Sequence, residues 1–452
     1  SLHVPMNKIV TVWILIVLVT PFAFLPSIAA YEAGDEEEIF GHTFNEEYWT
    51  NDSISVETSG GNASFTTSYV NQENFSAFLI AFNRIVTNDS TEIILPYQLF
   101  GMNYLTPEGK EVFIGSIFAF LLVHNETYGD NNLPDVGNEN AWYVVPMSTG
   151  NPWDDVSPDV ESIPVEKIEE GHYRFGMRYI NMTARVVSTG GGFLLSLLFP
   201  FMTVLFSEIV VEYDIQIDQT TGEVHAETIY TIGQVKRARI GLQEKDPSEV
   251  ITDNMEISAV HYLSTFQSNY NVTQSSSGNS IEPPTSTDLL DENLTITIGD
   301  DQERAFDIGL GRSYDLINET TDEIVLENQD ALNALLATQP GDFLLIAWQA
   351  PLSAFLFAHM AYGLSATVRN RYDNAGKLAA NATNAFHSSQ WWYSVTFPEW
   401  NGLRVQQDPV YTAYTNLAEG ILPGPTDGNN VLLLIGIGLI AVIAVVWVLR
   451  RR

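Results

Sequence analysis

The sequence predicts a mainly β protein: a β-sandwich-like ectodomain with a minor helical part in its C-terminal region, and one C-terminal transmembrane helix. Three observations carry this expectation. Residues 209–232 alternate with period two around a glycine turn. Residues 431–449 carry no charge and run into three arginines. The 452 residues include no cysteine.

At the N-terminal end, Ser1 to Pro5 read as sequence upstream of a start at Met6. Met6-Asn7-Lys8 then forms a basic n-region, and Ile9 to Leu25 an apolar h-region. Ser27-Ile28-Ala29 supplies the small residues of a cleavage site, so residues 1–30 read as a secretory signal peptide. At the other end, Val431 to Leu449 is nineteen residues long. At 1.5 Å per residue this spans about 28 Å, close to the hydrocarbon thickness of a bilayer. Arg450, Arg451 and Arg452 place that end in the cytoplasm. The expected protein is type I, in the cell membrane with its ectodomain outside. Residues 31–266 form a β-rich lobe and 267–291 a polar linker or loop. Residues 292–424 form a second β/α lobe with an aromatic membrane-proximal part, 425–430 a stalk, and 450–452 the cytoplasmic tail.

Within the ectodomain the clearest element is the hairpin. Ile209, Val211, Tyr213, Ile215 and Ile217 share one face, and after the turn 219–222 so do Val224, Ala226, Thr228, Tyr230 and Ile232. His172 to Val186 reads as another strand, with Tyr173, Phe175, Met177 and Tyr179 opposite Arg174 and Arg178. Shorter strands are expected at 64–70, 78–86, 93–100, 142–146, 294–298 and 305–310. Residues 112–123 fit a buried strand or a buried helix equally. Asp330 to Thr338 and Pro351 to Val368 read as helices from their Ala and Leu content, the second with proline in its first turn.

Two further runs lack formal charge: Val186 to Ser207 and Phe343 to Val368. Three readings stay open for them. They are buried core, a pair of extra membrane spans, or, for Gly190–Phe206, a glycine-flanked apolar loop that touches a membrane or partner.

Composition sets the environment. Asp and Glu number 56 against 20 Lys and Arg, a net charge of −36. Such a surface repels nucleic acid and suits a cation-rich exterior. Without cysteine there is no disulfide framework, thiol catalysis or thiolate metal site. Asn-x-Ser/Thr sequons begin at Asn51, Asn62, Asn74, Asn88, Asn125, Asn181, Asn271, Asn293, Asn318 and Asn381, as on a glycosylated surface. This layout resembles that of archaeal cell-surface proteins.

Catalytic signatures are lacking. The sequence holds no HExxH, GxSxG, P-loop or dinucleotide fingerprint, and its eight histidines are scattered. The expectation is therefore a non-enzyme with no catalytic residues. The candidate cofactor is calcium. Asp130, Asn132 and Asp135, with Glu139 from the flank, place hard oxygen donors in a turn-forming stretch. That stretch resembles the DxDGDGLPD type of calcium loop, with most of the aspartates replaced. Near the C-terminal end, Trp391, Trp392, Tyr393, Phe397, Trp400, Tyr411 and Tyr414 form an aromatic group suited to a core, a bilayer interface or sugar stacking.

The expected function is a structural or adhesive role in the envelope. Its partners would be the bilayer through 431–449 and envelope proteins or surface polysaccharide, with no nucleic acid. The alternatives are a viral spike or membrane-fusion glycoprotein, and a membrane-anchored extracellular hydrolase.

Overall fold

The computed structural model describes residues 48–58, 61–72, 75–87, 90, 92–94, 96, 98–107, 111–125, 142–146, 148–149, 153, 155–188, 202–218, 220–251, 255–266, 272–276, 279–280, 288–289, 294–298, 303–309, 311, 313–335 and 389–415. Strands dominate these residues, and every strand pairing among them is antiparallel. The one helix among the described residues is the four-residue Pro247–Val250, capped by the side chain of Asp246. The mainly β expectation holds.

The expected hairpin forms from Met202–Asp218 and Glu223–Ile232, in register from Ile209 opposite Ile232 to Asp218 opposite Glu223. Ile209, Val211, Tyr213 and Ile215 are buried with Val224, Ala226, Tyr230 and Ile232, so the alternation read from sequence is the inward face. The turn is held by Asp218, whose Oδ1 accepts from Thr220 N at 2.7 Å and Thr221 N at 3.1 Å. Gly222 takes φ +74°, and a Cβ there would lie 2.3 Å from the carbonyl oxygen of Thr415. Glycine therefore serves both the left-handed turn and the close approach of the 410–415 segment.

His172–Ser188 pairs along the opposite edge of 202–218, from His172 opposite Gln216 to Val186 opposite Met202. Its inward residues are odd-numbered up to Tyr179 and then continue as Met182 and Ala184. The change falls at Asn181, with φ +53°. Its neighbour changes parity across Ser207, from Ile209 to Phe206. In the third strand, Gly233 and Gln234 interrupt the ladder before Val235–Ile240 resumes pairing with 202–206. Ser207 N donates to Gln234 O at 3.0 Å and Gly233 N to Glu208 O at 2.8 Å. A line of irregularities thus crosses three strands together, and buried side chains continue on both sides of it.

Two runs of strands share one core. In the first, Asp159–Glu169 precedes the three strands above, and Val410–Tyr414 and Glu303–Gly309 follow them. The second runs through Tyr48–Thr58, Gly61–Gln72, Phe75–Thr87, Gln98–Leu105, Glu111–Asn125, Met255–Phe266, Ser389–Phe397 and Leu332–Leu335. Trp142–Pro146 joins them, pairing with 121–123 on one side and 184–188 on the other. Aromatic rings fill the space between. Phe100 stacks on Tyr213 at 4.2 Å between centroids, and Tyr314 meets Phe397 edge-on at 4.9 Å.

Sequence and structure part in several places. The helix expected at 330–338 is replaced by the strand Leu332–Leu335, paired with 393–396. Its Ala and Leu favour a helix locally, but four residues beside an open strand gain more from the ladder than from an isolated turn. Residues 112–123 resolve as strand. Inside the stretch read as a linker, Val272–Ser276 pairs with Leu294–Ile298 and with Asn279–Ser280. Ladders also cross the expected lobe boundary: Met255–Phe266 pairs with Ser389–Phe397, and Glu223–Ile232 with Val410–Tyr414.

The signal peptide, the stalk, the 431–449 span, the arginine tail and the helix expected at 351–368 lie outside the described residues, as does 189–201. Among the described residues no helix is long and apolar enough to cross a membrane.

Candidate functional site

The expected calcium donors Asp130, Asn132, Asp135 and Glu139 lie outside the described residues, but the strand ends that carry them do not. Glu111–Asn125 ends with Asn125 opposite Met255, and Trp142–Pro146 begins with Trp142 opposite Val123. Among the described residues no three His, Asp or Glu side chains are grouped to hold a metal.

Of the sequons, Asn74, Asn88, Asn271, Asn293 and Asn381 also lie outside. Asn51, Asn62 and Asn125 fall on strands. Asn318 ends a strand, and its Oδ1 accepts from Thr320 N at 3.0 Å, which leaves its amide nitrogen uncommitted by that bond. Asn181 differs: its Nδ2 donates to Ser157 O at 3.1 Å, and Thr183 of the same sequon is buried.

Two opposite ends of the 172–188/202–218 hairpin carry distinct chemistry. At the end near the 219–222 turn, Asp214 sits on the outward face yet has a side chain only 4 % exposed. Register explains its company. Asp214 lies between Arg174 on one neighbouring strand and Glu227 on the other, while His172 lies opposite Gln216. Asp214 Oδ2 accepts from Arg174 Nε at 3.1 Å and Nη2 at 2.7 Å, and Oδ1 lies 2.7 Å from His172 Nε2. Gln216 Nε2 adds a donor at 3.4 Å. Both carboxylate oxygens are thereby engaged, and the group works as a clamp between strands.

Beside it, Glu227 is pushed above the usual carboxylate range, first by burial and then by the charge of Asp408 and of Asp214.

The far end of the same hairpin is different. Val186 and Ile240 both stand opposite Met202, and Ser188 stands opposite Trp142. The described strand ends Ser188, Met202 and Trp142 therefore lie together at this end of the sheet. The tight turn Gly241-Leu242 projects beyond Ile240, and Leu242 is 88 % exposed. Around it stand Lys236, Arg237, Arg239 and Lys245, four of the chain's 20 Lys and Arg within ten residues. Arg237 bonds Asp155 at 2.7 Å and Glu244 at 2.6 Å, and lies over Trp153 at 5.4 Å. Arg239 Nη2 donates to Leu242 O at 3.4 Å, and Lys245 pairs with Glu249 at 3.3 Å.

The aromatic group near the C-terminal end contributes to the core where its side chains are described. Phe397, Trp400 and Tyr411 are buried, and Tyr414 donates its hydroxyl to Asp307 at 2.9 Å.

Sequence reading did not single out Asp214. An aspartate on the polar side of an alternating strand looks solvated until cross-strand register surrounds it. The Leu242 turn was equally silent: Lys236, Arg237 and Arg239 bear on the sequence reading only as charges that would lie inside if the two uncharged runs were extra membrane spans. No protein-family model, curated protein or solved structure matches the chain.

Proposed function

We propose that this chain is an exported, glycosylated, single-span surface protein with a structural or adhesive role in a prokaryotic envelope, archaeal by its layout. The ectodomain reads as β-sandwich-like, two strand runs closed over one core. What supports the role is the continuity of the antiparallel ladder: strands from Tyr48 to Tyr414 knit into one hydrogen-bonded network. Such a scaffold is stiff and presents loops at its ends, as a binding or load-bearing surface module requires. In this reading 431–449 anchors the chain, the acidic surface keeps it soluble outside, and the 130–139 donors bind calcium to stiffen one loop.

The test is topology. Intact cells are treated with protease, and peptides and glycans across 208–342 are identified by mass spectrometry. Cleavage there, or a glycan on Asn271, Asn293 or Asn318, is the expected result. Protection of that region while 48–185 is cut would sink the single-span reading.

A second reading, a viral spike or membrane-fusion glycoprotein, is favoured by one observation. The uncharged stretch 189–201 joins two strands of seventeen residues each at their far ends. A long stiff hairpin carrying an apolar connection is a means of reaching a membrane.

A further inference from the structure

We propose that Asn318 carries an N-linked glycan in the folded protein, that Asn181 does not, and that the Asn318 glycan covers the open edge of the Glu323–Asp330 strand. The inference rests on the exported, glycosylated reading above. It names which sequon serves that reading and what the sugar does there.

The two sequons differ in what the fold leaves free. Asn318 ends the Ser313–Asn318 strand, at the turn into Glu323–Asp330. Its Oδ1 accepts from Thr320 N at 3.0 Å and Thr321 N at 3.4 Å, and among the described residues nothing accepts from its Nδ2. Thr320, the third residue of the sequon, is exposed, as are Thr321 and Asp322. The amide nitrogen and the hydroxyl that define a sequon are thus presented together on a turn. Asn181 is the reverse. It takes φ +53° inside the bulge line, and its Nδ2 donates to Ser157 O at 3.1 Å. Thr183 is 3 % exposed and pairs with Leu205, so reaching this sequon would require opening the ladder between 172–188 and 202–218.

The donor is an oligosaccharide activated at C1 as a phosphoester. Asn318 Nδ2 forms the bond to C1, and the C1–O bond to phosphate breaks. The phosphate carrier leaves with that electron pair, and one amide proton passes to a base of the transferring enzyme. A nitrogen already held by a carbonyl oxygen, as in Asn181, is poorly placed for this step.

A second observation says what the sugar covers. Glu323–Asp330 pairs with Ser313–Asn318 and with no other strand among the described residues. An open edge of this kind is a template for another strand unless it is charged, bulged or covered. The half towards Asp330 carries Glu327 and Asp330. The half nearer Asn318 carries Ile324, 53 % exposed, and Val325, 49 % exposed, the one adjacent pair of exposed large apolar residues among those described. Val325 is the extra residue where the register slips between Leu316–Leu326 and Ile317–Ile324, so no residue stands opposite it. Asn318 lies opposite Glu323, next to this pair, and ladder partners are only about 5 Å apart. A sugar on Asn318 therefore begins beside Ile324 and Val325 and gives them a bulky, hydrated cover.

The test uses the full-length chain purified from the cells that make it, with glycopeptides mapped by mass spectrometry across its sequons. A glycan on Asn318 and a bare Asn181 are expected. The folded chain is then treated with thermolysin, which cuts before Ile and Val. Thr320→Ala removes the sequon but keeps the backbone N–H that bonds Asn318, and should be cut at Ile324 and Val325 roughly tenfold faster than the parent. Thr320→Ser keeps the sequon and should keep both the glycan and the parental rate. A bare Asn318 beside glycans at other sequons, an occupied Asn181, or equal cutting of Thr320→Ala and parent overturns the proposal. So does faster cutting of Thr320→Ala throughout the chain, which would be unfolding rather than loss of cover. A chain without sugar at any sequon overturns the glycosylated reading itself, so the two failures are told apart.

Discussion

The two ends of the 172–188/202–218 hairpin are built from the same alternating strands and close the same core, yet their outward faces are finished in opposite ways. At one end Asp214 is enclosed by Arg174, His172 and Gln216, and every strong charge on it finds a partner inside the chain. At the other, Leu242 stands 88 % exposed at the apex of its turn, among Lys236, Arg237, Arg239 and Lys245. The first end encloses a charge within the fold, and the second leaves one large apolar side chain in water. One core thus supports two outward faces that differ in how far their side chains are satisfied within the fold.

The largest effect is expected where both ends depend on the shared core. Tyr213 is buried and stacks on Phe100 at 4.2 Å, joining the two strand runs. Tyr213→Ala should cost about 3–5 kcal/mol, read by denaturant unfolding, and would loosen both ends together. A loss below 1 kcal/mol would mean that the two runs do not close on each other there. Next comes the clamp. Arg174→Ala removes both donors to Asp214 Oδ2 and leaves a buried carboxylate held mainly by His172. A loss of about 3 kcal/mol is expected, with little change in any contact made by the far end.

Acid should separate core from clamp. His261 is 2 % exposed, packs 5.5 Å from the Tyr230 ring, and is driven by burial from 6.5 down to about 3. The unfolded chain then binds a proton that the folded chain refuses. Stability therefore falls as pH drops from about 6.5 towards 3, by up to a few kcal/mol. His261→Leu should flatten the curve in that window relative to the parent. An unchanged difference between the two from pH 7 to pH 4 would show that His261 is not held neutral.

Glu227 carries the opposite sign. Its raised pKa means that the folded form holds a proton longer than the unfolded one, so stability declines as pH rises through that window. Asp408→Asn removes a like charge beside it and should raise stability at pH 7 by less than about 1 kcal/mol.

Much of this architecture was legible in the sequence. The 209–232 hairpin and the inward aromatic face of 172–179 follow from period-two alternation, because half-buried strands must alternate. The 332–335 strand did not follow, because its composition favours a helix and only the neighbouring 393–396 segment decides otherwise. The bulge line through Asn181, Ser207 and Gly233 was hidden for a related reason. Each residue is unremarkable alone, and the need for glycine at 233 appears only once Ser207 Oγ lies 2.0 Å from where a Cβ would be. The candidate site shares that character. Leu242 and Met202 are forty residues apart in sequence and are brought to one end of the sheet by the pairing of Met202 with Ile240. The 130–139 calcium donors show the reverse, a signal wholly local to sequence.

The smallest expected effect on stability is the most telling for the comparison. Leu242→Asp replaces a side chain that is already 88 % in water, so unfolding should shift by no more than about 0.5 kcal/mol. Arg174→Ala should do the reverse and shift the unfolding curve, because it strips donors from a carboxylate that is only 4 % exposed. If Leu242→Asp instead destabilises the fold as much as Arg174→Ala does, the apex is packed rather than presented. The two ends of the hairpin would then be finished alike.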